Sequence, residues 1–143
     1  MKKFIVFAFV ATLAIAGCKK KADGIVGTWK VTAATANPAV DLGNGPVTDV
    51  YPYIFSQPCS QDNLLIFKEG NTVILDEGAL KCDTSNAQQS SATYTLVGSA
   101  LTIYDSNDTT ALTNITIDED YLKGVIAGGF NSGSEITLTF TRQ

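Results

Sequence analysis

From Val26 onwards the sequence consists of short runs in which β-branched and aromatic residues alternate with polar ones. A period of two marks a strand with one buried face, because successive side chains of an extended chain point to opposite sides. Eight such runs can be read, near 26–35, 62–68, 72–77, 92–97, 100–105, 110–117, 121–127 and 134–142. Helical periodicity is hard to find in the same region. The connections narrow the fold further. Longer ones follow the first, third, fifth and seventh runs: Ala36 to Gln61, about 78–91, DSNDTT and AGGFNSGS. Tight ones, KEGN, Gly98-Ser99 and DED, follow the second, fourth and sixth. Alternate turns of an antiparallel meander lie at the same end, so one end should be neatly closed and the other should carry every long loop. Closure into a barrel removes the unpaired edges that an open sheet would expose. The expected fold is all-β, an eight-stranded antiparallel up-and-down barrel. At eight strands its interior is either filled by side chains or holds one small ligand.

The residues before Ile25 are different material. MKK is a basic start, FIVFAFVATLAIA is a 13-residue apolar run, and Gly17-Cys18 closes it. This is the layout of an export signal, and the run is short for a membrane-spanning helix. Ile15-Ala16-Gly17-Cys18 resembles the bacterial lipobox, which implies that Cys18 becomes the mature N-terminus and carries a diacylglycerol. Two or three acyl chains then hold the protein on a membrane it does not span. The expected organisation is a signal peptide over 1–17, a lipidated tether over 18–24 and one domain over 25–143. With about six residues of tether, which reach ~20 Å at most, the domain should sit close to the bilayer.

The whole chain has 10 basic and 14 acidic residues; loss of Lys2 and Lys3 with the leader leaves 8 and 14, a formal charge of −6. Three of the remaining lysines, Lys19 to Lys21, lie beside the lipid, where they can meet anionic head groups or serve as a plain tether. The domain itself is acidic, which argues against nucleic acid as a partner. Two cysteines remain, Cys59 and Cys82, and an even pair in an exported chain reads as a disulfide. Their midpoint falls between Gly70 and Asn71, in the KEGN turn, so the pair can meet at the end of that hairpin. Closing a loop of ~24 residues is worth ~3 kcal/mol in the chain-entropy model. Zinc is disfavoured, since the chain has no His and no close Cys spacing, and no metal or cofactor is expected.

The first strand contains IVGTWKV, with the only Trp of the chain. Gly27-Thr28-Trp29 resembles the Gly-x-Trp signature of lipocalins and the wider calycin group. The resemblance implies that Trp29 plugs the closed end of the barrel, with a basic residue of the last strand across its ring. Arg142 is the matching residue, on one face of the last run with Ile136, Leu138 and Phe140. Such a stack contributes ~0.5–2 kcal/mol. The segment CSQDNLLIFKEGNTVILDEGALKC is also similar to a hairpin of small lipocalin-like domains in Gram-negative lipoproteins. Together these imply a lipocalin-like barrel over most of residues 18–143.

Little in the sequence supports catalysis. No nucleophile–base pair can be assembled without His and with both cysteines of the domain oxidised. Asp105, Asp108, Asp118, Glu119 and Asp120 fall in turns, where carboxylates make local hydrogen bonds. DSNDTT lacks the length and the distal Glu of a calcium loop, and LGNGP is a turn without a phosphate-binding Lys. The protein is not expected to be an enzyme. VYPYIFSQPC stands out instead: Tyr51, Tyr53 and Phe55 crowd a polar loop at the open end, and Phe130 in the glycine-rich loop can join them. They either fold down as a lid over the barrel or line a ligand site. The inward positions, among them Val31, Leu65, Phe67, Leu75, Tyr94 and Ile103, are bulky, so a well-filled barrel with a modest cavity is expected. The leading expectation is an outer-membrane lipoprotein on the periplasmic face, binding a small hydrophobic ligand at its membrane-distal mouth. The rival is a filled barrel whose rim loops grip or inhibit an envelope protein.

Overall fold

The computed structural model describes residues 24–106, 108–130 and 133–143. The leader, Cys18 and the lysine triplet therefore lie outside the described residues. Nine strands form one sheet: β1 (Gly27–Asp41), β2 (Pro46–Asp49), β3 (Leu64–Lys68), β4 (Thr72–Asp76), β5 (Gln89–Val97), β6 (Ala100–Tyr104), β7 (Thr109–Ile117), β8 (Tyr121–Gly129) and β9 (Ser134–Arg142). Each pairs antiparallel with its neighbour from β3 to β9. β1 closes the ring by pairing with both β3 and β9. Eight strands thus make a closed antiparallel barrel, and β2 is an annex paired only to the far part of β1. Among the described residues no helix is long and apolar enough to cross a membrane.

Most boundaries follow the alternation, and β1 is the main departure. It runs on to Asp41, where the sequence reading ends a strand near 35 and leaves a long loop. Pro38 hides the extension, since a proline inside a run argues against a central strand. Here it costs little, because the β9 partner ends opposite Asn37. The chain then turns through LGNG, where Asp41 Oδ1 accepts from the amides of Gly43 (2.8 Å) and Gly45 (3.2 Å), and returns as β2. Two single-turn helices follow, α1 (Tyr51–Ile54) and α2 (Pro58–Gln61). Each has a proline in its first turn, Pro52 second in α1 and Pro58 first in α2, where a fixed φ and a missing N–H are well tolerated.

The core faces also follow the period of two until a bulge intervenes. In β1, Trp29 and Val31 point inward; the register slips between Val31 and Ala33, and Ala34, Ala36 and Val40 are buried beyond it. In β7, Leu112 is buried, Asn114 takes φ 52°, and the inward phase resumes at Ile115 and Ile117. One extra residue is enough to move the inward set from even to odd positions or back. The expected inward residues all belong to the core or pack against it; Ala34 and Leu112 join them across these slips, and Leu122 joins them opposite Ile117 and Phe140.

Candidate binding site at the barrel mouth

The closed end is solid. Trp29 is 0 % exposed, and its indole Nε1 donates to the Ile25 carbonyl (2.7 Å). The Arg142 guanidinium carbon lies 4.1 Å from the centroid of its ring. The fork of the same guanidinium donates to three backbone carbonyls, those of Glu119 (2.7 Å), Val26 (3.0 Å) and Gly24 (3.1 Å). Those carbonyls belong to the N-terminal segment and to the β7–β8 turn, so one side chain ties both to the barrel floor. Gly27 makes this possible: its φ is 145°, and a Cβ there would run into Arg142 Nη1. Phe67, opposite Gly27 in the β1–β3 register, packs edge to face with Tyr94, their centroids 4.9 Å apart.

The other end carries every long connection. α1 lies over the β1 side of the mouth. Val50, just before it, is buried, and its amide bonds to the Ala34 carbonyl (2.9 Å). Tyr51 and Phe55 turn down together, their ring centroids 5.0 Å apart, and pack against the core. Burial pushes the Tyr51 phenol above its ordinary pKa, and its hydroxyl reaches the Val31 carbonyl (3.4 Å). Tyr53 and Ile54 face outward, 47 % and 38 % exposed. Phe130 is exposed at the β8–β9 connection with φ 56°, and among the described residues no ring contact joins it to α1. The aromatic loop therefore divides: Tyr51 and Phe55 form a lid, while Tyr53 and Phe130 stay on the surface.

The β3–β4 side of the mouth is held by covalent and polar ties. A disulfide joins Cys59 in α2 to Cys82 in the β4–β5 loop, with their Cα atoms 5.2 Å apart. It clamps the two rim segments to each other, beyond the ends of β3 and β4 rather than within the ladder. Asp62 Oδ2 accepts from the amides of Ala79 (2.8 Å) and Leu80 (2.9 Å), and a Cβ on Gly78 would collide with Asp62. With its amide turned so that the nitrogen faces the two carbonyls, the orientation that satisfies both ends of the side chain, Asn63 donates to Cys59 (2.9 Å) and Glu77 (3.3 Å). Asp76 accepts from the side chains of Gln88 and Gln89 and from the Gly78 amide, and these bonds hold its carboxyl below the usual range, Gln89 contributing most. Asp83 is lowered likewise, chiefly by the Ser85 hydroxyl and amide.

Between these braced segments the barrel is not filled. A cleft of about 560 Å³ opens at the mouth, with Leu65 and Leu75 at its floor and Asn63, Glu77, Ser90 and Asp105 among its walls. Leu65 and Leu75 are only partly buried, whereas Phe67 and Val73, one inward step deeper on the same strands, are almost fully buried. The lower half is filled as expected, and the open space lies at the rim. The cleft residues were not among the sequence candidates, yet a signal exists. Asn63 and Glu77 stand two positions outward of Leu65 and Leu75, in the inward phase, where a polar residue is out of place in a filled core. A shallower recess of about 480 Å³ lies where β7 and β8 part above the bulge, lined by Thr109, Thr113 and Val125 among others.

A closed eight-stranded antiparallel barrel with a plugged floor and a hollow mouth is the architecture of a small-molecule binding protein. The family model for a lipocalin-like domain matches residues 25–124, and the chain belongs to that family. No curated protein and no solved structure matches it.

Proposed function

We propose that this chain is a lipid-anchored binding protein of the cell envelope whose barrel holds one small ligand in the mouth cleft, without catalysing a reaction. The observation that carries this reading is the cleft itself: about 560 Å³, floored by Leu65 and Leu75 and rimmed by polar side chains. An apolar base with a few placed polar groups is the usual form of a small-ligand site. Cys18 carries the anchor and leaves a short tether to Ile25. Trp29 stands near that tether, so the plugged end faces the bilayer and the mouth opens away from it, on the periplasmic side of the outer membrane. The ligand is then taken from the aqueous phase or from a partner rather than out of the anchoring membrane.

Native mass spectrometry of the protein purified from its own cells tests the binding reading. The expected result is an adduct mass that disappears in Leu75→Trp, whose indole fills the cleft. A clean unliganded mass for both would overturn it. Acyl labelling that survives Cys18→Ser would overturn the anchor. A second reading, docking to an envelope protein, is favoured by one observation, the outward face of α1 with Tyr53 and Ile54. It predicts that Tyr53→Ser abolishes capture of a partner while the adduct persists.

A further inference from the structure

We infer that the parted wall between β7 and β8 is a strand-addition site, which takes an uncharged, extended peptide segment of a partner protein. The last ladder pair between the two strands is Thr113 with Val125. Yet β7 continues along β6 as far back as Thr109, and β8 continues along β9 to Gly129. Each strand thus turns one unpaired edge into the recess of about 480 Å³. Neighbouring bonds fix which groups face it. The Asp105 amide bonds to the Asp108 carbonyl, so before the bulge the even residues of β7 face β6 and Ala111 faces β8. The Arg142 amide bonds to the Asp120 carbonyl, so the even residues of β8 face β9 and Ala127 faces β7. The amides and carbonyls of Ala111 and Ala127 therefore point into the recess, with no ladder pair joining them among the described residues.

The gap is set by the strands themselves. A bulge between Thr113 and Thr116 bends β7 where the two part. Gly124, between the pairs on either side of that bulge, leaves room for Leu112 and Ile115, which a Cβ there would strike. Thr110, two positions from buried Leu112 and in the same inward phase, is left exposed. Elsewhere the molecule blunts its free edges. Pro38 stands where β1 runs past β9, and β2 carries Pro46 and Asp49. Proline and charge are the usual protection of an unpaired edge. Neither is found in the recess, which threonine, alanine, valine and isoleucine alone line. An unprotected edge of donors and acceptors without charge matches the backbone of an extended peptide. Side chains of an added strand alternate, so those entering beside Thr110 and Ile126 are apolar and the others polar. A second copy fits less well, because its own β7 and β8 edges are recessed in the same way and its β2 is blunted.

Amide-resolved NMR of the full protein in detergent micelles, titrated with an acetylated and amidated hexapeptide of alternating valine and threonine, tests this. The Ala111 and Ala127 amides should shift together, and their hydrogen exchange should slow about ten-fold. N-methylation of one alternate set of peptide residues should weaken binding about ten-fold, because it removes the donors of one edge and leaves the side chains in place. Thr110→Lys, which puts a charge at the inward edge, should abolish binding, whereas Leu75→Trp should leave it intact, since the mouth cleft is separate. The N-methylated peptides need no variant, so they decide the matter even if Thr110→Lys unfolds. If the parent peptide does not bind, or if both N-methylated forms bind as well as the parent, the edge is not a strand acceptor and the inference falls. Shifts confined to the cleft around Leu65 would place the peptide in the mouth and overturn it equally.

Discussion

At the plugged end of the barrel Trp29 is sealed from water and its indole N–H has a carbonyl at 2.7 Å. At the mouth, Asp62 Oδ1 and Glu77 Oε2 are buried without a partner, and among the described residues they are the only buried side-chain polar atoms in that condition. The same strands run through both ends, so backbone pairing does not explain the contrast. What differs is what fills the space between the strands. Below, large side chains interdigitate and one arginine satisfies three carbonyls. Above, cystine, carboxylates and amides brace the loops against one another and leave the interior open. A small barrel can keep a hollow mouth because its floor provides packing and its rim is tied by bonds that need no core.

This division can be broken experimentally, and the plug should give the largest effect. Trp29→Ala should destabilise the protein by about 3–5 kcal/mol in urea unfolding, the range for removing a large buried aromatic. The adduct seen by native mass spectrometry should persist in the molecules that stay folded; its loss would show that the two ends are not independent. Removing the rim clamp, Cys59→Ser with Cys82→Ser, should cost about 3 kcal/mol in the unfolding midpoint if the chain-entropy account holds. Here binding should fall together with stability, because the cleft walls are the segments released.

Arg142→Lys comes next, at about 2 kcal/mol, since an ammonium cannot reproduce a planar fork reaching three carbonyls. Combined with Gly27→Ala it should be clearly non-additive in a double-mutant cycle, because the new Cβ displaces the same guanidinium. Strict additivity would mean that Gly27 is needed only for its backbone angle.

The smallest effect is a pH response confined to the rim. Hydrogen bonds depress the folded-state pKa of Asp76 and Asp83. Their contribution is therefore complete above the unfolded carboxylate value of about 3.9, and it is lost as pH falls through the folded value. Amide exchange across residues 76–89 should rise on acidification below about pH 4 while Trp29 emission stays constant. A simultaneous change in both would dissolve the distinction between plug and rim.

Much of this was legible in the residues. The alternation, the pattern of long and tight connections and the Gly-Thr-Trp segment lead to a closed barrel with Trp29 at the tight-turn end. Local chemistry also pairs the two cysteines. All of these depend on short-range periodicity or residue type. The interior of the upper barrel did not follow so readily. A bulge inserts one residue with no side-chain signature, so the inward phase of β1 after Val31 and of β7 after Leu112 depends on pairing with distant strands.

The fate of VYPYIFSQPC shows the same limit. Its aromatic residues look alike in sequence, yet Tyr51 and Phe55 are drawn down by the buried anchor of Val50 on β1, and Tyr53 is left outside. Asp62, 17 residues before the first of the two amides it holds, and Glu77, just past the end of β4, become parts of a mouth only when the barrel closes and brings them to one rim. By itself the sequence determined the strands, the direction of the barrel and its plug, because those follow from alternation and turn length. Only the tertiary structure decided where the barrel is empty, because a void depends on how all eight strands and their loops fill the same volume.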